Sequence, residues 1–243
     1  MANPIRIGVL AFQGAFAEHE YCLKKAFDAL QLRGSLCCYH LQVVQVRQPS
    51  DLHELDGLIL PGGESTTMGK FLDRNNFKDE LSSWITGNGR GKPVVWGTCA
   101  GLILLADRLD DTKKGGQTTL GGLDITATRN MYGRQVDSFE APLNLNHDNL
   151  ASNLSISNEP SVFHGIFIRA PGIKSVDSDK VRVLATLQKD NSKVVAVEQG
   201  NVMATAFHPE LTEDARWHAY FLTRVHALLQ HQPADGQATA TGS

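Results

Sequence analysis

Short apolar runs alternate with helix-like segments in the N-terminal half of the chain, and this alternation restricts the fold more than any other feature. The apolar runs occupy residues 5–12, 41–46, 58–60 and 94–96, and residues 16–30 have helical spacing. Continuous apolar runs of this length are typical of strands buried on both faces. They therefore predict a mostly parallel sheet with helices on both sides.

From Leu123 onward the pattern changes to short β-like runs, which we expect to add antiparallel or mixed strands to the same sheet. These runs lie at 125–128, 136–141, 163–168, 181–187, 194–198 and 202–207. The predicted fold is a three-layer, flavodoxin-like α/β domain with a mixed sheet, and we expect it to span residues 1–230 as one domain. Residues 231–243 lack apolar periodicity, which predicts a disordered tail.

Two helices are predicted from more local signals. Residues 102–109 continue in helical spacing after the strand at 94–96. Thr212 is expected to cap the last helix, with Glu213 and Asp214 in its first turn.

Charge and cysteine usage exclude several classes of protein. The chain carries 23 basic and 26 acidic residues, a net charge of -3, so no basic excess indicates nucleic-acid binding. No apolar run is long enough for a membrane span, and we expect a cytoplasmic protein. The four cysteines, Cys22, Cys37, Cys38 and Cys99, have no metal-ligand spacing, so neither a metal site nor a disulfide is expected.

Cys99 lies in the segment Gly97-Thr98-Cys99-Ala100-Gly101, with a predicted strand before it and a helix after it. A glycine-flanked nucleophile at a strand-to-helix turn is the arrangement of a nucleophile elbow, because bulky neighbours would clash at so sharp a turn. The helix N-terminus favours the thiolate, which is the reactive form. A buried structural cysteine beside a glycine turn is the alternative interpretation.

A second candidate segment is Phe207-His208-Pro209-Glu210, between the run at 202–207 and the last helix. His208 is a candidate base for Cys99, and Glu210 is a candidate to orient its imidazole. The remaining histidines, His19 and His218 among them, are interpreted as surface or satisfied core residues.

The third segment, at residues 60–67, contains Gly62 and Gly63. Such a loop can turn backbone N–H groups toward an oxyanion. Its spacing and its lack of a lysine exclude a Walker loop. Because all three segments follow strands of one sheet, we expect them to meet at one edge.

With these segments the chain resembles the class I, triad-type glutamine amidotransferases, and within them the glutaminase subunits of pyridoxal 5'-phosphate synthases. The resemblance extends over residues 8–213. The blocks that carry the narrower similarity are Gly8 to Gly14, Leu60 to Met68, Trp96 to Leu102, Arg129-Asn130, Gly133 to Glu140, Phe167 to Pro171 and Ala206 to Glu213.

The resemblance implies roles for individual residues. Cys99, His208 and Glu210 match the catalytic triad, and the N–H groups of Gly63 and Ala100 are the expected oxyanion donors. The implied glutamine contacts are Gly63, Glu64, Ser65, Arg129, Ile168 and Arg169. Gln13 matches a position where the partner docks and helps to complete the oxyanion hole.

The implied activity is hydrolysis of L-glutamine to glutamate and ammonia, without a metal or an organic cofactor. The implied partner is a synthase subunit with a (β/α)8 barrel, in a large hetero-oligomer, which uses the ammonia to build pyridoxal 5'-phosphate. Residues 31–41 and 144–160 are longer than in compact bacterial-type members and contain no motif.

Three alternatives stay open at this stage. The chain could serve another synthase, such as imidazole glycerol phosphate synthase. It could be a catalytically silent regulatory subunit, against which the complete triad argues. It could also be a related cysteine hydrolase or peptidase, which would not need Arg129 and Arg169 for the charges of a small amino acid.

Overall fold

Two sheets and five helices make up the part of the chain that the structure describes. The structure is a computed structural model that describes residues 2–74, 76–87, 92–110, 118–129, 131, 138–146 and 162–231. Its strands are β1 (Asn3–Leu10), β2 (Tyr39–Val46), β3 (Gly57–Leu60), β4 (Val94–Thr98), β5 (Ala106–Leu109), β6 (Leu123–Thr128), β7 (Ser138–Leu145), β8 (Phe163–Ile168), β9 (Gly172–Val176), β10 (Arg182–Leu187), β11 (Asp190–Gln199) and β12 (Val202–Thr205). Its helices are α1 (Phe16–Leu32), α2 (Ser65–Leu72), α3 (Phe77–Thr86), α4 (Ala100–Leu105) and α5 (Arg216–His231), with 3₁₀ turns at Pro49–Leu52 and Pro209–Leu211.

The larger sheet has the strand order β2-β1-β3-β4-β12-β11-β10-β7-β8. Its first five strands pair in parallel, whereas the strands from β12 to β8 pair in antiparallel fashion. The parallel part has the flavodoxin-like order, so its strand ends form one edge at which ligands commonly bind. The predicted mixed α/β sheet is confirmed.

The helices form two groups around the parallel strands. Helix α1 packs beside α5, and α2 packs beside both α3 and α4. Helices α4 and α5 both contact β4, which lies between β3 and β12 in the sheet. Within the described ranges, no helix has both the length and the apolar character that crossing a membrane requires.

Three expectations about the elements are wrong. The helix predicted at 102–109 ends at Leu105, because all residues of α4 are buried and a further turn would bury Asp107 and Arg108; the chain becomes strand β5 instead. Strands β5, β6 and β9 form a separate three-stranded sheet rather than extending the first. Helix α5 begins at Arg216, whose N–H donates to Asp214 Oδ1 (3.0 Å), so Thr212 lies too early in the chain to cap it.

Several predicted segments lie outside the described residues. They are most of the block at 133–140, most of the extended loop at 144–160, Asn130, and the tail beyond His231. The extended segment at 31–41 is described: it contains the end of α1 and the start of β2, with Cys37 and Cys38 exposed between them.

The turn from β4 into α4 depends on close backbone contact at two glycines. A Cβ atom on Gly97 would lie 2.5 Å from the carbonyl carbon of Gly101. A Cβ atom on Gly101 would lie 2.0 Å from the carbonyl oxygen of Leu60, in the adjacent strand β3. Neither position can accept a side chain unless the backbone shifts, so the two glycines fix where α4 starts relative to the sheet.

We predict that Gly101→Ala lowers the free energy of unfolding by about 3 kcal/mol, because its methyl group meets backbone rather than a movable side chain. Gly34→Ala is the control: its Cβ would meet nothing within 4 Å, and only the positive φ of +81° opposes it. That strain costs about 1 kcal/mol. Urea denaturation measures both values, and equal losses in the two variants would contradict the packing argument.

Candidate active site

Cys99 lies between β4 and α4 in a strained backbone conformation, with φ of 49°. Its N–H donates to the Thr205 carbonyl of β12 (2.9 Å), and its carbonyl accepts from Leu102 N (3.0 Å). These bonds hold the residue in a conformation that non-glycine residues rarely adopt. The side chain is therefore presented at the edge of the sheet, as the predicted elbow requires.

His208 and Glu210 follow β12 and are both buried. The Nδ1 atom of His208 lies 2.8 Å from Glu210 Oε1. The other ring nitrogen, Nε2, does not take part in this contact. The His208 side chain also interacts with Cys99, and both residues lie against Gly62. The three residues predicted as a triad are thus brought together in the order thiol, imidazole and carboxylate.

The charge state of His208 depends on these two partners. Burial lowers the pKa of its imidazole, but hydrogen bonds to Cys99 and Glu210 outweigh burial and raise this pKa to about 10. Burial alone raises the pKa of the Glu210 carboxyl, but the neighbouring imidazoles hold it below its ordinary value. The arrangement therefore favours a carboxylate on Glu210 beside an imidazolium on His208.

The loop after β3 touches the triad through Gly62. A Cβ atom on this residue would lie 2.4 Å from His208 Cε1 and 3.2 Å from Cys99 Cβ. Its N–H donates to Thr98 Oγ1 (3.1 Å). The sequence interpretation assigned Gly63 to the site but missed this steric role of Gly62, for which the adjacent glycine pair was the only signal.

Glu64 and Gln13 hold the same loop from opposite sides. The Glu64 carboxylate caps α2 by accepting from Thr66 N (3.1 Å) and Thr67 N (2.7 Å). Its hydrogen bonds, chiefly that from the Thr67 hydroxyl, lower its pKa to about 2. The amide of Gln13 donates from Nε2 to the Glu64 carbonyl (2.8 Å).

Arg129 and Arg169 lie at the same end of an antiparallel strand pair. Thr128 at the end of β6 pairs with Gly172 at the start of β9, so Arg129 directly follows one strand where the other, preceded by Arg169, begins. Arg169 has a left-handed φ of 42° directly after Ile168, which is exposed. The buried Nε of Arg129 has no hydrogen-bond partner among the residues that the structure describes.

Two histidines that the sequence interpretation set aside lie under the triad. His19 Nε2 is 3.4 Å from Glu210 Oε2, and His19 Nδ1 is 2.9 Å from His218 Nε2. Both side chains are fully buried, and burial lowers the pKa of each to about 3. No sequence signal identified them, because a histidine within a helical pattern does not show which distant residue it contacts.

The other cysteines differ clearly from Cys99. Cys22 is buried, and its Sγ donates to the Glu210 carbonyl (3.7 Å); burial raises its pKa to about 12, which makes it unreactive. Cys37 and Cys38 are exposed. Within the described ranges, no group of three or more His, Cys, Asp or Glu side chains is placed to hold a metal ion.

The sheet order and the cysteine elbow are those of the class I glutamine amidotransferases. A solved structure described as a glutamine amidotransferase has a TM-score of 0.68 and 37% identity, and the match covers 90% of this chain and 98% of that one. The SNO glutamine amidotransferase family matches residues 9–227, and the chain belongs to this family. The family resemblance predicted from the motifs is confirmed.

Individual relatives are similar over nearly their whole length. The pyridoxal 5'-phosphate synthase subunit PdxT of Thermococcus onnurineus is 44% identical over 221 residues, which are 91% of this chain and 99% of the relative. The probable pyridoxal 5'-phosphate synthase subunit pdx2 of Dictyostelium discoideum is 40% identical and covers 92% of this chain and 93% of its own length.

The buried histidine pair predicts that acid destabilises the fold. Because both folded-state pKa values lie below the 6.5 of a free imidazole, the unfolded chain binds protons that the folded chain does not as the pH falls below 6.5. At pH 5 each histidine then lowers the free energy of unfolding by about 2 kcal/mol. This follows because pH 5 lies about 1.5 units below 6.5, and each unit contributes about 1.36 kcal/mol.

We expect His218→Phe to reduce this loss of unfolding free energy between pH 7 and pH 5 by about 2 kcal/mol. His53→Phe, at an exposed position, is the control and should keep the wild-type pH dependence. Urea denaturation at both pH values gives the comparison. An unchanged pH dependence in His218→Phe would show that this imidazole is not held neutral.

Proposed function

We propose that the chain is the glutaminase subunit of a pyridoxal 5'-phosphate synthase, and that it hydrolyses L-glutamine to glutamate and ammonia for the synthase subunit. The observation that carries this proposal is the buried cluster at the carboxyl edge of the sheet, in which His208 contacts Glu210 at 2.8 Å and lies with Cys99 against Gly62. The family and the names of relatives at 40–44% identity support it.

In the proposed reaction the Cys99 thiolate attacks the side-chain amide carbon of glutamine. His208, as an imidazolium, donates its proton to the amide nitrogen as the carbon–nitrogen bond breaks, and ammonia leaves. Neutral His208 then takes a proton from water, which attacks the glutamyl thioester and frees glutamate and the thiol. Glu210 stabilises the imidazolium at Nδ1 throughout, at 2.8 Å.

The negative oxygen of each tetrahedral intermediate needs preorganised donors. Ala100 is the first residue of α4, where backbone N–H groups have no acceptor within the helix. We assign its N–H and that of Gly63 as the oxyanion donors, each contributing about 3–4 kcal/mol to transition-state stabilisation.

The charged ends of glutamine require complementary groups. Arg129 is half-buried, and its Nε has no hydrogen-bond partner within the described ranges, which suits binding of the α-carboxylate. We assign Arg169 to the same carboxylate. His208 N donates to Ile166 O (2.8 Å), which ties the triad to the strand that leads into Ile168 and Arg169. The loop Gly63-Glu64-Ser65 contacts the substrate through its backbone in this proposal, because the Glu64 carboxylate already caps α2.

The partner that we propose is the synthase subunit, with a (β/α)8 barrel, in a large cytoplasmic hetero-oligomer. Its docking point is the Gln13-Gly14 turn. A Cβ atom on Gly14 would lie 1.8 Å from the Gly62 carbonyl oxygen, and Gln13 bonds the Glu64 carbonyl (2.8 Å). A protein that moves this turn therefore also moves the loop that carries the Gly63 donor, which links docking to oxyanion stabilisation.

Cys99→Ala should abolish glutamate release by the complex while leaving the circular dichroism spectrum unchanged, because alanine fits the elbow. Cys37→Ala, which removes an exposed thiol, is the control and should keep full activity. A glutamine-like chloroketone should label Cys99 and spare the other three cysteines in peptide mass analysis. Labelling mainly at another cysteine would overturn the assignment of the nucleophile.

We expect the isolated chain to have low glutaminase activity and the synthase subunit to stimulate it strongly. Gln13→Ala should reduce that stimulation by at least about 10-fold, since an oxyanion donor is then misplaced. Gln230→Ala is the control, because Gln230 is exposed near the end of α5 and contacts His226 (3.2 Å). If the isolated wild-type chain were fully active and the synthase subunit did not change its activity, the proposed link between docking and oxyanion stabilisation would be contradicted.

A further inference from the structure

The carboxylate of Glu210 has a second oxygen that the triad does not use. Oε1 accepts from His208, whereas Oε2 is buried and has no hydrogen-bond partner among the described residues. The atom that faces Oε2 is His19 Nε2, at 3.4 Å. A buried carboxylate oxygen without a donor is costly, so the identity of this neighbour bears directly on how Glu210 is held.

His19 is fixed in its place by contacts on three sides. Its Nδ1 lies 2.9 Å from His218 Nε2, and its Nε2 lies 3.3 Å from Thr98 Oγ1 as well as near Glu210. The ring packs edge-on against Trp96, with 5.7 Å between centroids and an interplanar angle of 79°. Its ring plane is therefore set by packing rather than by solvent.

These contacts select one tautomer of His19. A lone pair on Nε2 would face the carboxylate of Glu210, so the proton of the neutral ring belongs on Nε2. Nδ1 must then accept, and the Nε2–H of His218 is the donor at 2.9 Å. Nδ1 of His218 is left as an acceptor, and it has no hydrogen-bond partner within the described residues.

We propose that His19 is a positioning residue, whose neutral Nε2–H faces Glu210 Oε2 and holds the carboxylate by electrostatic attraction so that its other oxygen orients His208; this role rests on the proposed glutaminase function. The Nε2 atom lies 3.3 Å from Thr98 Oγ1 and 3.4 Å from Glu210 Oε2. Since Thr98 directly precedes Cys99 and accepts from Gly62 N, His19 links the acidic end of the triad to the elbow and to the oxyanion loop.

The test compares two variants with amide side chains at position 19, His19→Gln and His19→Asn, each measured in the complex with the synthase subunit. The side chain of His19→Gln can place its N–H near the position of Nε2, whereas that of His19→Asn is too short to reach Glu210. Both substitutions bury a polar amide, so a merely structural role predicts similar activity for the two. Leu23→Ala, in the same helix and also fully buried, measures how much activity follows from lost stability alone.

We expect His19→Asn to lower kcat by about 10- to 100-fold with KM for glutamine changed less than about 2-fold, because a misaligned base affects the reaction more than binding. His19→Gln should remain within about 3-fold of wild type in kcat. Equal kcat values in the two amide variants would overturn the proposal. It would also be overturned if the loss of kcat in all three variants, Leu23→Ala included, were simply proportional to the loss of Tm.

A second readout does not depend on glutamine hydrolysis. In the full-length chain, the low-field proton resonance of His208 Nδ1–H reports its bond to Glu210. This resonance should persist in His19→Gln and shift upfield or disappear in His19→Asn, and an unchanged resonance in both would contradict positioning. If the wild-type complex hydrolyses no glutamine, the proposed function fails, while this measurement still decides the role of His19.

Discussion

Backbone segments approach around Cys99 at separations that only glycine permits. Gly101 lies against the Leu60 carbonyl, Gly62 against His208, and Gly14 against the Gly62 carbonyl. These contacts link the ends of β1, β3, β4 and β12, so the Cys99 turn, the His208 segment and the Gly62-Gly63 loop are held as one unit. The strained φ of 49° at Cys99 persists because this surrounding packing fixes it.

The electrostatics of the site follow from this close packing, since water is excluded from one side of the triad. His208 keeps a raised pKa because its interactions with Cys99 and Glu210 outweigh burial, whereas burial lowers the pKa of His19 and of His218. The charged imidazole of His208 thus contacts one oxygen of Glu210, and the neutral imidazole of His19 faces the other.

The parallel strands, the elbow and the segment with His208 and Glu210 could be predicted from sequence because their signals are local. Apolar runs mark buried strands, and small residues mark sharp turns. The separate β5-β6-β9 sheet could not be predicted, because short β-like runs do not specify their pairing partners. His19 and Gly62 were missed for a related reason: their roles depend on neighbours that are distant in sequence, such as Glu210 and His208.

The central claim is that Cys99 forms a covalent glutamyl thioester during glutamine hydrolysis. The direct test is acid quenching of the complex during turnover with glutamine, followed by mass analysis of its peptides. The account predicts a glutamyl adduct on the peptide that contains Cys99, which decays when glutamine is exhausted. Continued glutamate release with no adduct on Cys99, or with the adduct on another cysteine, would contradict it.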